Sequence, residues 1–273
     1  MTTTLSQRPS AVPNARLTSA GIMRSEWTKM RSLRSTVWSF VAAEAMLIGV
    51  SALIAWGNAH DASNGNGGQR DPNDALLISI GGFLLAQLAV GVLGVLLISG
   101  EYSTGMIRST MAAVPRRLPA LWAKAAVFSV VTFVSMMAST LVAFFIGQAI
   151  VKSAGIGVRF GDPGVVRALI GCALYLTMVG LLGMGLGALL RHSAGAISVL
   201  VGVLLVLPIV TAFLPRAMEH SIRKFLPGEA GEQVVMLVRN PEALSAWAGF
   251  GVLVGYTAAV MAAAAVLLRR RDV

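Results

Sequence analysis

The sequence predicts an all-α membrane protein with six transmembrane helices. Three observations carry that reading. The 273 residues are 56% hydrophobic and 12% charged, where a soluble domain is nearer a quarter charged. The mean hydropathy is +0.75. The charges fall mainly between long apolar runs, each long enough to cross a hydrocarbon core of about 30 Å. An N-terminal amphipathic interfacial helix and a cytosolic helix between spans 2 and 3 complete the expected architecture.

Residues 1–18 hold Pro9 and Pro13 among small polar residues and read as a mobile cytosolic tail. Residues 19–36 read as the amphipathic helix. Met23, Trp27, Met30 and Val37 share one face, with Ile22 and Leu33 beside it, and Arg24, Lys29, Arg31 and Arg34 lie elsewhere. An apolar stripe with Trp and a basic remainder suits a helix lying in the membrane interface.

The transmembrane domain covers 37–268, with spans expected at 37–56, 74–99, 125–151, 165–190, 194–214 and 245–268. The loop 57–73 is rich in Asn, Asp, Gly and Ser and reads as flexible. Between spans 2 and 3, Ile107, Met111 and Val114 fall at i, i+4 and i+7 on one face of a short helix. Ser103 or Thr104 caps its start, Pro115 stops it, and Arg116, Arg117 and Lys124 follow at the next membrane entry. Arg191, His192 and Ser193 form a tight turn between spans 4 and 5. Pro208 is expected to kink span 5. Within 215–244, Met218, Ile222 and Phe225 or Leu226 repeat at helical spacing, and Pro227-Gly228 ends that run. Residues 234–238 form a second apolar patch, too short to span. Two short helices at the outer leaflet are expected there. Residues 269–273 form a basic cytosolic tail.

Orientation follows from the positive charges. Of 22 Lys and Arg residues, 14 fall on the side that holds both termini and 8 on the other. The 8 are balanced by acids, so both termini are expected in the cytosol. That placement also explains the net charge of +10 without nucleic acid as a partner. The lone Cys172 forms no disulfide within the chain. No Walker-type phosphate loop, no Cys/His metal cluster and no Ser–His pair within a span is present, so no catalytic residue, no metal and no cofactor of its own is expected. No cleavable signal peptide is expected. The preponderance of Ala, Gly, Val and Arg points to a GC-rich bacterial genome.

Glu44 is the only acid inside an apolar run. It either binds a cationic substrate or proton, or pairs with Arg34 or another basic group near the inner interface. The rows Gly183-x-x-x-Gly187 and Gly251-x-x-x-Gly255 each allow close helix contact.

The run from Gly100 to Arg117, GEYSTGMIRSTMAAVPRR, resembles the G-E-Y-x-x-G-x-I-R-x-T-[LM]-A-x-x-P-R-R stretch of ABC-2 type transporter permeases, especially actinobacterial ones. The ending from Leu244 to Asp272 is similar to their L-S-x-W-x-G…L-x-R-R-D pattern, and Leu226-Pro227…Ala230-Gly231 also matches. The resemblance extends over the whole chain. It implies a type V exporter-like fold in the bacterial cell membrane. It also implies a second permease copy, identical or different, and two copies of a separate ATP-binding subunit that holds ATP and Mg. The helix between spans 2 and 3 would then be a coupling helix seated in the ATPase. That assigns coupling to Glu101, Tyr102, Gly105, Ile107, Arg108 and Met111, with Arg191 and His192 as a smaller second contact. The nearly uncharged spans suit a hydrophobic or amphipathic substrate, and export is implied by the family alone. Two other readings remain: an ion-coupled carrier using Glu44, and a non-transporting membrane scaffold.

Overall fold

The computed structural model describes residues 18–64, 71–103, 117–152, 155 and 157–270. Among them every regular element is helical, and six helices are long and apolar enough to cross a membrane. Gly105, Ile107, Arg108 and Met111, with the short helix expected around them, lie outside the described residues.

Helix α1 spans Ser19–Ser32, and the Thr18 hydroxyl caps it by accepting from the Gly21 amide at 3.2 Å. The chain turns at an extended Leu33, so the element ends four residues earlier than its apolar pattern indicated. Met23 and Trp27 face outward, as an interfacial stripe should, but the face turned to the bundle carries Glu26 and Met30. Helix α2, Arg34–Ser63, runs well past the expected end of span 1. Its polar extension is held by side chains that bond back to the helix. Asn58 Nδ2 donates to the Ile54 carbonyl at 2.8 Å, and Trp56 stacks on His60.

Span 2 is not one helix. It divides into α3, Pro72–Ile80, and α4, Phe83–Ser103. The break falls at Gly81-Gly82 because Gly82 presses on α2, where an added Cβ would lie 2.2 Å from the Leu47 carbonyl oxygen. The Gly82 amide donates to Ser51 Oγ at 3.0 Å, so the break leaves no orphan donor there.

Helix α5, Arg117–Val151, begins earlier than expected and carries Lys124 inside it. Helix α6, Val165–Leu190, has the expected bounds and is the centre of the fold, packed against α4, α5 and the last helix. Between membrane helices there is little hydrophobic drive, so close van der Waals contact has to hold them. Glycines permit it. A Cβ on Gly94 would sit 2.0 Å from the Gly180 carbonyl oxygen, and one on Gly183 would sit 2.1 Å from that of Gly91. The Gly183/Gly187 row is thus used inside the chain, against α4. Gly251 and Gly255 meet nothing within 4 Å.

Span 5 is composite: α7 (Ser193–Val201), a π-helical turn (Gly202–Val206) and α8 (Leu207–Thr211). The π turn stands just before Pro208. Pro has no N–H and its ring crowds the carbonyl four residues back, so a locally widened helix accommodates it.

The segment after span 5 forms α9, Arg216–Arg223, and α10, Pro227–Glu232. Pro227 opens α10 rather than ending a run, because Pro suits the first helical position. The apolar patch 234–238 is not a helix; it folds back onto the bundle. The Arg167 guanidinium donates to the carbonyls of Val234 (3.1 Å), Met236 (2.7 Å) and Leu237 (3.4 Å). Asn73 and Val238 exchange two hydrogen bonds of 2.9 and 2.8 Å. Helix α11, Ala246–Arg270, closes the chain against α6 and α10.

Candidate functional site

The ends of α4 and α6 and the starts of α5 and α7 meet on the same face of the bundle as α1. Four ionisable groups are gathered there. Lys124 Nζ lies 2.8 Å from Glu101 Oε1 and 2.7 Å from Glu26 Oε2. Lys29 Nζ lies 2.7 Å from Glu26 Oε1 and 3.7 Å from Glu101 Oε1. Glu26, Glu101 and Lys124 are each less than a tenth exposed. The approach of Lys124 to Glu26 Oε2 has ion-pair distance without hydrogen-bond angles, so Glu101 is its better-directed partner. Burial alone pushes the Glu26 carboxyl up, but the Lys124 and Lys29 ammonium groups outweigh it and hold it below the usual carboxylate range.

The quartet draws on three elements: α1 for Glu26 and Lys29, the last turn of α4 for Glu101, and the second turn of α5 for Lys124. It therefore fixes both ends of the segment between α4 and α5 to the N-terminal helix. Met30, Leu97, Leu121 and Leu268 pack a small apolar core around it. The Glu101 carboxylate is directed into the bundle, so its contribution to a docking surface is through position.

Tyr102 and Arg191 come together. The Arg191 guanidinium carbon lies 5.2 Å from the centre of the Tyr102 ring, a cation–π distance. Arg191 adopts a left-handed conformation (φ 54°) that ends α6, its amide donating to the Gly187 carbonyl at 3.0 Å. His192 caps α7: its Nδ1 accepts from the Gly195 amide at 3.1 Å. Ser193 Oγ donates to Ser99 Oγ at 2.8 Å and pins this turn to α4. The end of α4 and the turn between α6 and α7, some ninety residues apart in sequence, are thus in contact.

Glu44 lies ten residues beyond Arg34 on α2, about 15 Å along the axis. The expected pairing of these two is therefore ruled out by geometry. Glu44 is partly buried and has no hydrogen-bond or ion-pair partner among the described residues. No group of three or more potential metal ligands occurs among the described residues.

A second polar cluster lies at the opposite face. Tyr175, fully buried on α6, donates to Gln87 Oε1 and stands 3.4 Å from Glu232 Oε1 at the end of α10. Glu229, one turn earlier, accepts from Arg223 at 2.8 Å, and Arg223 also reaches Glu219 at 3.2 Å. Burial, with the nearby Glu229 charge, pushes the Glu232 carboxyl from 4.5 up to about 8, against the opposing pull of Tyr175 and Arg223. The folded chain thus keeps a proton that the unfolded chain has released. The contribution of Glu232 to stability is full below pH 4.5, falls as pH rises from there to about 8, and is then level. Melting temperatures of the detergent-purified chain should show this decline, and Glu232→Gln should remove it. An equal decline in the variant would assign it to another group. Sequence reading missed this cluster, and also Glu26 and Lys124 as ion partners. The visible signal was only a charged residue at the edge of an apolar run.

No family model and no curated protein matches the chain.

Proposed function

We propose that the chain is the membrane-spanning permease subunit of an ABC-2 type exporter, working with a separate ATP-binding subunit and a second permease copy. The observation that carries this reading is the joining of Tyr102 to Arg191. It brings Tyr102, at the start of the first stretch that the resemblance assigns to ATPase contact, against Arg191 of the second, with the Glu101 quartet beside it. Closure of the partner ATPases would press on residues 104–116. Their ends are fixed to α1, α4 and α5, so the push would reach the spans rather than dissipate in a loop. The substrate would be hydrophobic or amphipathic, since the described spans are nearly free of charge.

The test is co-purification of the tagged chain from mild detergent, followed by an ATPase assay, with and without Arg108→Glu. A nucleotide-binding protein should accompany the wild type, and the charge reversal should release it or uncouple its activity. Absence of any ATPase from the wild-type preparation would sink the proposal. A second reading, an ion-coupled carrier, draws support from the unpartnered Glu44. It requires transport that survives Arg108→Glu and is lost in Glu44→Gln.

A further inference from the structure

At the face opposite α1, the end of α5 together with Gly155 and residues 157–160 lines an open cavity of about 470 Å³. Its floor is aromatic. Phe160 stands 6.2 Å from Phe144 and 5.8 Å, nearly parallel, from Phe145. Its wall is built. Gln148 donates to Ser79 Oγ at 2.8 Å, and Gly157 passes so near that a Cβ there would lie 2.3 Å from Gln148 Oε1. Its rim carries two cations, Lys152 and Arg159. Both are exposed, and neither has a carboxylate in ion-pair reach among the described residues. The nearest acid in sequence, Asp162, is turned to the Arg159 backbone amide at 2.7 Å.

The cavity also adjoins an exposed side of α5, a helix long and apolar enough to cross a membrane. Val142, Phe145 and Ile146 are exposed at i, i+3 and i+4 on α5, an apolar track leading from the aromatic floor toward the middle of the span. A site with two cations at the water end and an apolar track at the other matches a molecule with the same polarity.

We propose that this cavity binds an anionic phospholipid, with its phosphate between Lys152 and Arg159 and an acyl chain along Val142, Phe145 and Ile146. Aromatic side chains at the headgroup level and basic side chains near an anionic lipid each favour this placement. A free phosphate would use the rim and leave the track unused, so the track selects the lipid. The site requires only that α5 spans a bilayer, and it is independent of what the protein transports.

The test is native mass spectrometry of the full chain released from nanodiscs containing equal phosphatidylglycerol and phosphatidylcholine. The wild type should retain phosphatidylglycerol in excess. Lys152→Ala with Arg159→Ala should lower that retention about tenfold or more, whereas Lys152→Arg with Arg159→Lys should keep most of it. Phe145→Ala should also weaken it. Equal retention of the two lipids by the wild type overturns the proposal, as does undiminished phosphatidylglycerol on the double alanine variant. Complete displacement by excess inorganic phosphate would show a plain anion site and overturn the lipid assignment.

Discussion

Lys124→Met should destabilise the folded chain by about 3–5 kcal/mol, the range expected when one partner of a buried ion pair is removed. Lys124 is the hub of the quartet, in contact with both Glu26 and Glu101. Without it, two buried carboxylates face each other with only the partly exposed Lys29 between them. Unfolding of the detergent-purified protein, followed by tryptophan fluorescence, measures the loss. The triple change Glu26→Gln, Glu101→Gln and Lys124→Met separates charge from shape. Removing the three buried charges and leaving only the partly exposed Lys29 should recover most of the stability, because a buried ion network adds little over neutral groups of similar shape. A single variant as stable as the wild type would mean that water reaches these groups and screens them. A triple variant as unstable as the single one would mean that the loss does not come from the two unpaired carboxylates.

Gly94→Val should have an effect of similar size through packing. Its first carbon would stand 2.0 Å from the Gly180 carbonyl oxygen, and that atom belongs to a helix backbone that cannot rotate away. Helices α4 and α6 would have to separate along their length, opening the centre of the bundle. Overpacking of this kind costs about 1–3 kcal/mol, and more where backbone must move. Loss of folded protein on size-exclusion chromatography is the expected outcome. Gly251→Ala is the contrast. It meets nothing within 4 Å and replaces a helical glycine, so it should be neutral or slightly stabilising. Equal tolerance of both changes would show that α4 and α6 do not pack as closely as described.

The spans were legible because a bilayer imposes a length and a composition on each helix. Span 4 has the bounds read from the sequence, since Gly164 and Arg191 punctuate it cleanly at both ends. Other boundaries moved where side chains competed with composition. Asn58 and Ser63 extend α2 into a stretch that reads as loop, because each bonds back to its own helix. The break at Gly81-Gly82 was hidden for a different reason. An apolar run shows no trace of a backbone contact with another helix, and the Ser51 that completes the break lies about thirty residues away. The polar groups of the candidate site were the least legible. Lys124 sits at the lipid edge in sequence and reads as a positive-inside signal. Only the approach of α1 and α4 turns it inward and pairs it. Likewise, nothing local distinguishes Glu232 from the other acids of its segment until Tyr175 is seen beneath it.

The quartet has an electrical consequence. Two carboxylates and two ammonium groups sum to no net charge. A transmembrane voltage does work on a moving element in proportion to the net charge it carries, about 2.3 kcal/mol per elementary charge for 100 mV. The joint that ties α1, α4 and α5 together can therefore shift as a unit without the membrane potential helping or opposing it. A voltage dependence in this protein would have to originate in other charges, such as Glu44 of α2 and Arg167 of α6, neither of which has a carboxylate or ammonium partner among the described residues.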